Sequence, residues 1–266
     1  MTKGYWQVPL DEDAKRKSAF VTPFGQYQFS VMPFGMVNAG ATFVRLMNKV
    51  LKGHEEYADS FCDDVGIFSD NLEHLKLVFQ ELRDAKLTAR PSKCSFGFSE
   101  LEFLGHIAGR GVIKPIQDKV TLIKHFPIPK TKKNVRSFLG LIGFYRKFIP
   151  NFADIAVPLT DLTTKNVPNK VKWLDIHQES FDKLKGEICK DSVLKKPDFN
   201  RKFILQTNAS QIGMGAVLQQ EFEDGRYPVM FISKRFSGAE CNYAVIEKEC
   251  FPFKMLRVYL KVKSLL

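Results

Sequence analysis

The sequence has few cysteines and histidines and no long apolar run, and each shortage excludes a class of protein. Its five cysteines, at positions 62, 94, 189, 241 and 250, are odd in number and lack CxxC spacing. This excludes a disulfide framework or a cysteine-pair zinc site and favours a reducing compartment. Because no signal peptide and no apolar run of membrane length is present, we expect a cytoplasmic or nuclear protein that is neither secreted nor membrane-bound.

Acidic residues are also scarce, with 29 Asp and Glu against 40 Lys and Arg and a net charge of +11. This balance favours a polyanionic partner, although a merely soluble basic surface explains it equally well. The basic charge is concentrated in residues 111–150, where nine Lys and Arg face one acid and alternate with Phe138, Phe144, Tyr145 and Phe148. Such a segment suits a nucleic-acid backbone better than a small anion.

Two adjacent carboxylates, Asp63 and Asp64, stand between two short apolar, β-prone runs. The pattern predicts a β-hairpin whose turn presents both acids at one edge of a sheet. Mg²⁺ prefers oxygen ligands and usually takes one or two protein carboxylates plus substrate phosphates, so the pair suits phosphoryl or nucleotidyl transfer. An ordinary solvated turn is the alternative, and for this fragment alone it is the more frequent outcome.

Hydrophobic periodicity predicts an α+β unit, then helices, then a second sheet. The β-like segments of the first part are Tyr5–Pro9, Ser18–Thr22 and Tyr27–Met32, and its helices are Ala39–Leu51 and one from Asn71 to about Ala85. A strand candidate at Leu101–Ile107 and a turn at Gly109–Gly111 precede a helix from the N-cap Thr131 through Phe148 and another over Ile176–Cys189. The last strands are Lys202–Thr207, Met214–Gln220 and Pro228–Ser233, before a helix from about Tyr243.

Seven short phrases then resemble one family in its own order along the chain. They are TKGYWQVPL from Thr2, VMPFG from Val31, NAGATF from Asn38, the Asp63–Asp64 hairpin, FLGH from Phe103, RSFLGL from Arg136 and TNAS from Thr207. Nearly the whole chain thus resembles the polymerase region of gypsy-type LTR retrotransposons, a reverse transcriptase running into its RNase H-like domain.

The resemblance implies a fold, a reaction and partners. The fold would be α+β, with a reverse-transcriptase palm lacking most of the fingers over residues 1–113, thumb and connection helices over 114–197, and a partial RNase H-like α/β domain over 198–266. The reaction would be RNA-directed DNA polymerization, which adds nucleotides to a primer 3′-hydroxyl with Mg²⁺, or with Mn²⁺ in its place. The partners would be an RNA or DNA primer–template and a deoxynucleoside triphosphate.

The resemblance also implies roles for residues around the nucleotide. Asp63 and Asp64 would be catalytic metal ligands, and Tyr5 would pack against the incoming sugar and exclude a 2′-hydroxyl. The matching residues at the nucleotide and triphosphate are Phe34, Gly35 and Lys93. For Tyr5 a core aromatic is the alternative, and for Lys93 it is an ordinary surface lysine.

A third set of residues resembles the parts that hold primer and template. Phe103, Leu104 and Gly105 match a hairpin that positions the primer end, with a plain core strand as the alternative. Gly140 and Phe144 lie four residues apart on one predicted helix face and resemble residues that follow the minor groove, although core packing explains Phe144 nearly as well. Lys132, Lys133 and Arg136 are the candidate phosphate contacts.

The chain departs from the family pattern at both predicted sites. The family's first catalytic Asp lies one residue before the position of Met1, so we expect metal to bind weakly to Asp63 and Asp64 alone. Asn208 stands where the RNase H-like domain has its first Asp, and Glu249 matches the next acid. Pro252 falls where the last helix should continue, at a cost of about 3 kcal/mol if it is interior.

Three functions follow from these features. The first is a catalytically inactive remnant of a retrotransposon, truncated at both ends. The second is a piece of a longer, active reverse transcriptase. The third is a co-opted nucleic-acid-binding protein that keeps the basic helices without catalysis and binds primer–template in a salt-sensitive way.

Overall fold

The computed structural model describes residue 1, residues 3–190 and residues 193–261, with side chains as far as residue 256. Thr2, which opens the first phrase of the resemblance, and residues 262–266 of the predicted last domain lie outside the described residues. The chain separates into two compact units, Met1–Phe98 and a second one that begins at Ser99. The boundaries at residues 113 and 197 stay predictions.

The first unit combines two small hairpins with helices. Its helices are α1 (Glu12–Lys17), α2 (Ala39–Val50) and α3 (Leu72–Asp84), and its antiparallel hairpins are β1 (Phe20–Thr22) with β2 (Gly25–Tyr27) and β3 (Ala58–Phe61) with β4 (Asp64–Ile67). As predicted, Asn71 begins α3, because its side chain accepts a 2.9 Å hydrogen bond from the Glu73 amide. Phe43, Met47 and Leu82 are buried in the core between these elements.

The segment Tyr5–Pro9 is not the strand that its composition predicts. Residues Gly4–Gln7 form a 3₁₀ turn, in which the amides of Trp6 and Val8 donate to the carbonyls of Lys3 and Tyr5 at 2.9 and 3.1 Å. Local i to i+3 hydrogen bonds therefore replace strand pairing over Gly4–Gln7. Pairing is retained only at the end of the segment, where Pro9 forms an antiparallel bridge with Val31 and the Met32 amide donates to the Val8 carbonyl at 2.9 Å. The turn brings the Tyr5 ring into the core around α2.

The second unit begins with an antiparallel sheet packed with helices. The sheet runs in the order β5 (Glu100–Phe103), β6 (His106–Gly109), β7 (Val112–Pro115) and β8 (Leu194–Lys195). The helices are α4 (Gln117–Lys124), α5 (Lys132–Gly143), α6 (Phe152–Asp161) and α7 (Asp175–Cys189). Phe138, Phe148, Phe181 and Leu184 are buried in their common core.

Two predicted elements of this unit are divided in the structure. Residues 101–107 form two strands joined by a turn at Leu104 and Gly105, whose φ angles are 49° and 73°. Two positive φ angles in succession reverse the chain, which a periodicity argument does not register. The helix predicted through Phe148 ends at Gly143, after which the Tyr145 amide donates to the Ile142 carbonyl at 3.0 Å in a tighter turn.

The last part of the second unit is a three-stranded antiparallel sheet covered by a helix. The strands lie in the order β11 (Gly225–Arg235), β10 (Gly213–Phe222) and β9 (Phe203–Ala209), and α8 (Val245–Lys261) continues through Pro252. Met214, Leu218, Val229 and Ile232 are buried against this helix. Over the described residues, every helix is too short or too polar to cross a membrane.

Candidate functional site

The predicted acidic pair lies at the tip of the β3–β4 hairpin. Phe61 pairs with Asp64, and Cys62 and Asp63 form the two-residue turn between them. Cys62 has a φ of 51°, in the left-handed region that short hairpin turns require. Because opposing residues of an antiparallel pair share a face, Asp64 lies on the exposed face with Phe61.

Asp63 has an unusual environment for a carboxylate in a turn. Its Oδ1 atom is buried and has no hydrogen-bond partner among the described residues. A Cβ on Gly4 would lie 2.9 Å from Oδ1 and 2.9 Å from Cζ of Phe43, so only glycine allows this approach. A buried acceptor without a partner costs free energy, and a cation at Oδ1 would remove that cost.

The rest of the acidic neighbourhood limits what a metal could find there. The described residues contain no group of three or more His, Cys, Asp or Glu side chains that could hold a metal ion. Asp59 lies earlier on β3, where burial raises the pKa of its carboxyl and the Ser60 amide donates to its Oδ1 at 2.7 Å. A divalent ion at Oδ1 of Asp63 would therefore have to complete its coordination with Asp64, water or substrate.

Aromatic residues of the predicted nucleotide site surround Tyr5. Its ring meets the rings of Phe34 and Phe43 edge to face, each with centroids 5.5 Å apart. Phe34 is 63% exposed, and a Cβ on Gly40 would lie 3.6 Å from the Tyr5 hydroxyl. Since Gly4, the residue before Tyr5, closely approaches both Asp63 and Phe43, the structure brings Tyr5 and its neighbour Phe34 close to the acidic hairpin.

Gly35 and Lys93 are the other two residues of the predicted nucleotide site. Gly35 has a φ of 93°, and the position of its missing Cβ is open, with no atom of the described chain within 4 Å. This backbone conformation favours glycine. Lys93 is exposed in the 3₁₀ turn Pro91–Lys93, and among the described residues no hydrogen bond or ion pair joins its side chain to the hairpin.

The predicted primer hairpin and the predicted groove-following residues meet in the second unit. A Cβ on Gly105 would lie 2.8 Å from Cζ of Phe144, and the Tyr145 hydroxyl donates to the Gly105 carbonyl at 3.1 Å. Phe144 is 53% exposed, and the Cβ position of Gly140 is open, one helical turn earlier. We call Leu104, Gly105, Gly140 and Phe144 the turn–helix surface. Phe103 pairs with His106 at its base.

His106 belongs to the FLGH phrase, but sequence reasoning gave it no role. Its ring stacks on Phe144 and Phe148, with centroids 5.1 and 5.6 Å apart, and meets the edge of Tyr145 at 5.6 Å. Its Nδ1 lies 2.9 Å from the Leu104 carbonyl oxygen. Because a carbonyl oxygen only accepts, Nδ1 carries the hydrogen in the neutral ring.

The surroundings of His106 oppose its protonation. Its Nε2 is buried and finds no hydrogen-bond partner in the part of the chain that the structure describes. Burial, and then the charge of Lys147, lower the pKa of His106 from 6.5 to about 4. Burial also lowers the pKa of Lys147, to about 8. The order and spacing of sequence motifs could not have predicted this buried environment of His106.

The three basic candidates on α5 have different surroundings. Lys132 Nζ donates to the Thr164 carbonyl at 2.6 Å, and the Arg136 guanidinium donates to the Thr163 carbonyl at 2.9 Å. Both cations thus satisfy carbonyls just beyond the C-terminal end of α6, where positive charge is favourable. Lys133 is exposed and has no hydrogen bond or ion pair within the described residues. It is the most accessible of the three to a phosphate.

The two residues of the predicted RNase H-like site lie on different elements. Asn208 is exposed on β9, opposite Gly215 of β10. Glu249 is exposed on α8. An amide oxygen offers a metal no charge, and the described chain provides no cluster of acids around either residue.

Comparisons with known proteins assign two families to this chain. Residues 1–108 match the family "Reverse transcriptase (RNA-dependent DNA polymerase)", and residues 173–261 match "RNase H-like domain found in reverse transcriptase". The retrovirus-related Pol polyprotein from transposon 297 of Drosophila melanogaster is 44% identical over 94% of this chain and 24% of its own length. That from transposon 412 of the same organism is 34% identical over 94% of this chain and 20% of its own length.

A solved structure has the same fold. A foamy viral protease-reverse transcriptase, in complex with double-stranded DNA, matches with a TM-score of 0.78 and 23% identity, over 98% of this chain and 46% of its own. The α+β fold is therefore that of a reverse-transcriptase palm with an RNase H-like domain. The chain spans about a quarter of the length of the curated relatives that it matches.

Proposed function

We propose that this chain is the polymerase region of a gypsy-type retrotransposon Pol polyprotein. Its regions match a reverse transcriptase and the RNase H-like domain of reverse transcriptases. The reaction of this region is nucleotidyl transfer to a primer 3′-hydroxyl, with a primer–template and a deoxynucleoside triphosphate as substrates. The observation that carries the proposal is Oδ1 of Asp63, an atom that is buried beside Gly4 at the tip of a hairpin and has no hydrogen-bond partner among the described residues. Its nucleic-acid substrates would place it in the cytoplasm or nucleus.

The residues around the hairpin have separate tasks in this reaction. Asp63 and Asp64 would hold Mg²⁺ or Mn²⁺, and the ion would neutralise charge on the phosphate oxygens. Tyr5, held edge to face by Phe34 and Phe43, would present a rigid wall to the sugar. Such a wall excludes an additional hydroxyl group by steric clash, because the packed ring cannot move aside.

We expect weak metal binding by this chain. With two protein carboxylates as ligands, the dissociation constant for Mn²⁺ should be about 1 mM or weaker, since affinity rises with the number of charged ligands. Titration followed by electron paramagnetic resonance of free Mn²⁺ measures it. Asp63→Asn and Asp64→Asn should each abolish binding, and Asp70→Asn, at an exposed position just beyond β4, is the matched control.

Primer extension provides the second test of the same site. With metal held this weakly, the isolated chain should show no appreciable extension of a DNA primer on an RNA template. Mg²⁺-dependent extension that Asp63→Ala removes would contradict this expectation and show that the pair suffices. Equal Mn²⁺ affinity in the wild type and both Asn variants would instead contradict the site itself.

A second candidate function is nucleic-acid binding without catalysis. The observation that favours it is the turn–helix surface, where the exposed Phe144 directly follows the basic helix α5 and the Cβ position of Gly140 on that helix is open. Binding of this kind needs no metal and depends on salt through the phosphate contacts.

The basic residues of α5 give this function a sharp test. Lys133→Gln should weaken binding to a DNA duplex about twofold to threefold at low salt and lower the slope of log affinity against log salt by about 1. Lys132→Gln should instead lower thermal stability, because its ammonium group caps carbonyls after α6. Fluorescence anisotropy and thermal unfolding measure the two effects. Lys183→Gln, at an exposed position on α7, removes the same charge elsewhere, and an equal loss for it would contradict the assignment.

A further inference from the structure

The turn at Leu104 and Gly105 is held in a strained form. Leu104 has a φ of 49°, in the left-handed region that a leucine enters only at a cost. A strained backbone conformation persists only where several surrounding interactions hold it in place, and such conformations are frequent at functional sites. The turn connects β5 to β6, and neither of its residues belongs to the buried core of the unit.

Two side chains outside the turn–helix surface hold the two carbonyl groups of the turn. The Tyr145 hydroxyl donates to the Gly105 carbonyl at 3.1 Å, and the His106 Nδ1 hydrogen points to the Leu104 carbonyl at 2.9 Å. Tyr145 is 2% exposed, so its hydroxyl reaches the turn from inside the protein. Each carbonyl of the turn is therefore fixed by a different ring.

The same two rings also fix Phe144. Tyr145 meets Phe144 at 90° with centroids 5.0 Å apart, and His106 stacks beneath it at 5.1 Å. Phe144 in turn covers Gly105, whose missing Cβ leaves the space for its ring. The turn and the exposed ring are thus held together by the same two side chains, although they are about forty residues apart in the sequence.

We propose that Tyr145 and His106 are positioning residues for nucleic acid, which hold the Leu104–Gly105 turn and the exposed ring of Phe144 in one fixed arrangement for contact with a duplex. This inference rests on the proposed function, and it assigns to these residues a role that acts through Phe144 and the turn. Neither residue needs to touch the duplex. A preorganised contact surface binds more tightly because less freedom is lost on binding.

A double-mutant cycle tests the proposal with the full chain. The probe is a fluorescein-labelled DNA duplex with a single-stranded 5′ overhang, and fluorescence anisotropy at fixed low salt gives the dissociation constant. Tyr145→Phe should weaken binding about threefold to tenfold, the effect of one hydrogen bond of ordinary strength. In a Phe144→Ala background the same change should weaken binding less than about twofold, because the ring to be positioned is gone.

Two further measurements separate positioning from simple loss of stability. Tyr145→Phe removes no charge, so the salt dependence of binding should keep its slope. His106→Phe retains an aromatic ring but lacks the Nδ1 donor, and it repeats the cycle should Tyr145→Phe fold poorly. Tyr243→Phe, which removes a hydroxyl from an exposed tyrosine, is the matched control and should bind as the wild type does.

The outcomes distinguish this inference from the function on which it rests. A wild-type chain that does not bind the duplex even at low salt overturns both. A wild-type chain that binds, with Tyr145→Phe and His106→Phe weakening it by the same factor in both Phe144 backgrounds, overturns the positioning role alone. Coupling to Phe144 in either cycle, with an unchanged salt slope, supports it.

Discussion

Gly109→Ala should lower the free energy of unfolding by roughly 3 kcal/mol or more, at the severe end of single substitutions. Gly109 lies on β6 opposite Glu100 of β5. A Cβ there would lie 2.2 Å from the Ser99 carbonyl oxygen and 2.6 Å from Cα of Glu100. Both are backbone atoms, so the clash can be relieved only by separating the two strands.

Urea unfolding followed by tryptophan fluorescence measures this loss, with linear extrapolation to water. Gly140→Ala is the matched control, because its Cβ would enter open space within helix α5. There the change should stabilise by about 0.5–1 kcal/mol, the ordinary gain of alanine over glycine in a helix. If Gly109→Ala unfolds at the same urea concentration as the wild type, the close β5–β6 approach is wrong.

Lowering the pH from 6.5 to 4 should cost about 2–3 kcal/mol of stability through His106 alone. In the folded protein burial and the charge of Lys147 hold the pKa of His106 at about 4, below the ordinary 6.5. Between pH 6.5 and pH 4, His106 is protonated in the unfolded chain but remains neutral in the folded chain. The stabilisation is therefore complete above pH 6.5 and is lost as the pH falls toward 4.

Comparison of the wild type with His106→Phe isolates this effect, since the other titrating groups are common to both. The variant should be less sensitive to pH across this window, although it loses the hydrogen bond to Leu104 at every pH. His125→Asn removes an exposed histidine at the C-terminal end of α4 and should retain the wild-type pH dependence. Parallel stability curves for the wild type and His106→Phe would show that His106 is accessible to protons in the folded state.

The elements that the sequence predicts well are those specified by nearest neighbours along the chain. Apolar residues at helical spacing define α2 and α3, Asn71 caps α3, and Thr131 begins α5 by accepting from the Asn134 amide at 3.2 Å. The hairpin at Asp63 and Asp64 follows from two short β-prone runs with a two-residue turn. In each case the decisive interactions lie within a few residues, so a local pattern contains them.

The errors arose where local hydrogen bonds or positive φ angles replace the expected pattern. The segment Tyr5–Pro9 has the composition of a strand, yet Tyr5 lies in a 3₁₀ turn, where its ring packs against Phe34 and Phe43. The 101–107 segment has continuous strand character, yet Leu104 enters the left-handed region and reverses the chain. Burial of a ring and the hydrogen bonds of a turn override propensity at these positions.

The sequence by itself determined the chemistry that this protein offers: an acidic pair on a hairpin, a basic and aromatic helix, and an asparagine in place of an acid. Only the tertiary structure decided which of these groups are available. It ties Lys132 and Arg136 to carbonyls after α6, leaves Lys133 in solvent, and encloses His106 among three aromatic rings. The physical reason is that exposure, hydrogen-bond partners and pKa depend on neighbours that are distant in the sequence, which a one-dimensional pattern does not contain.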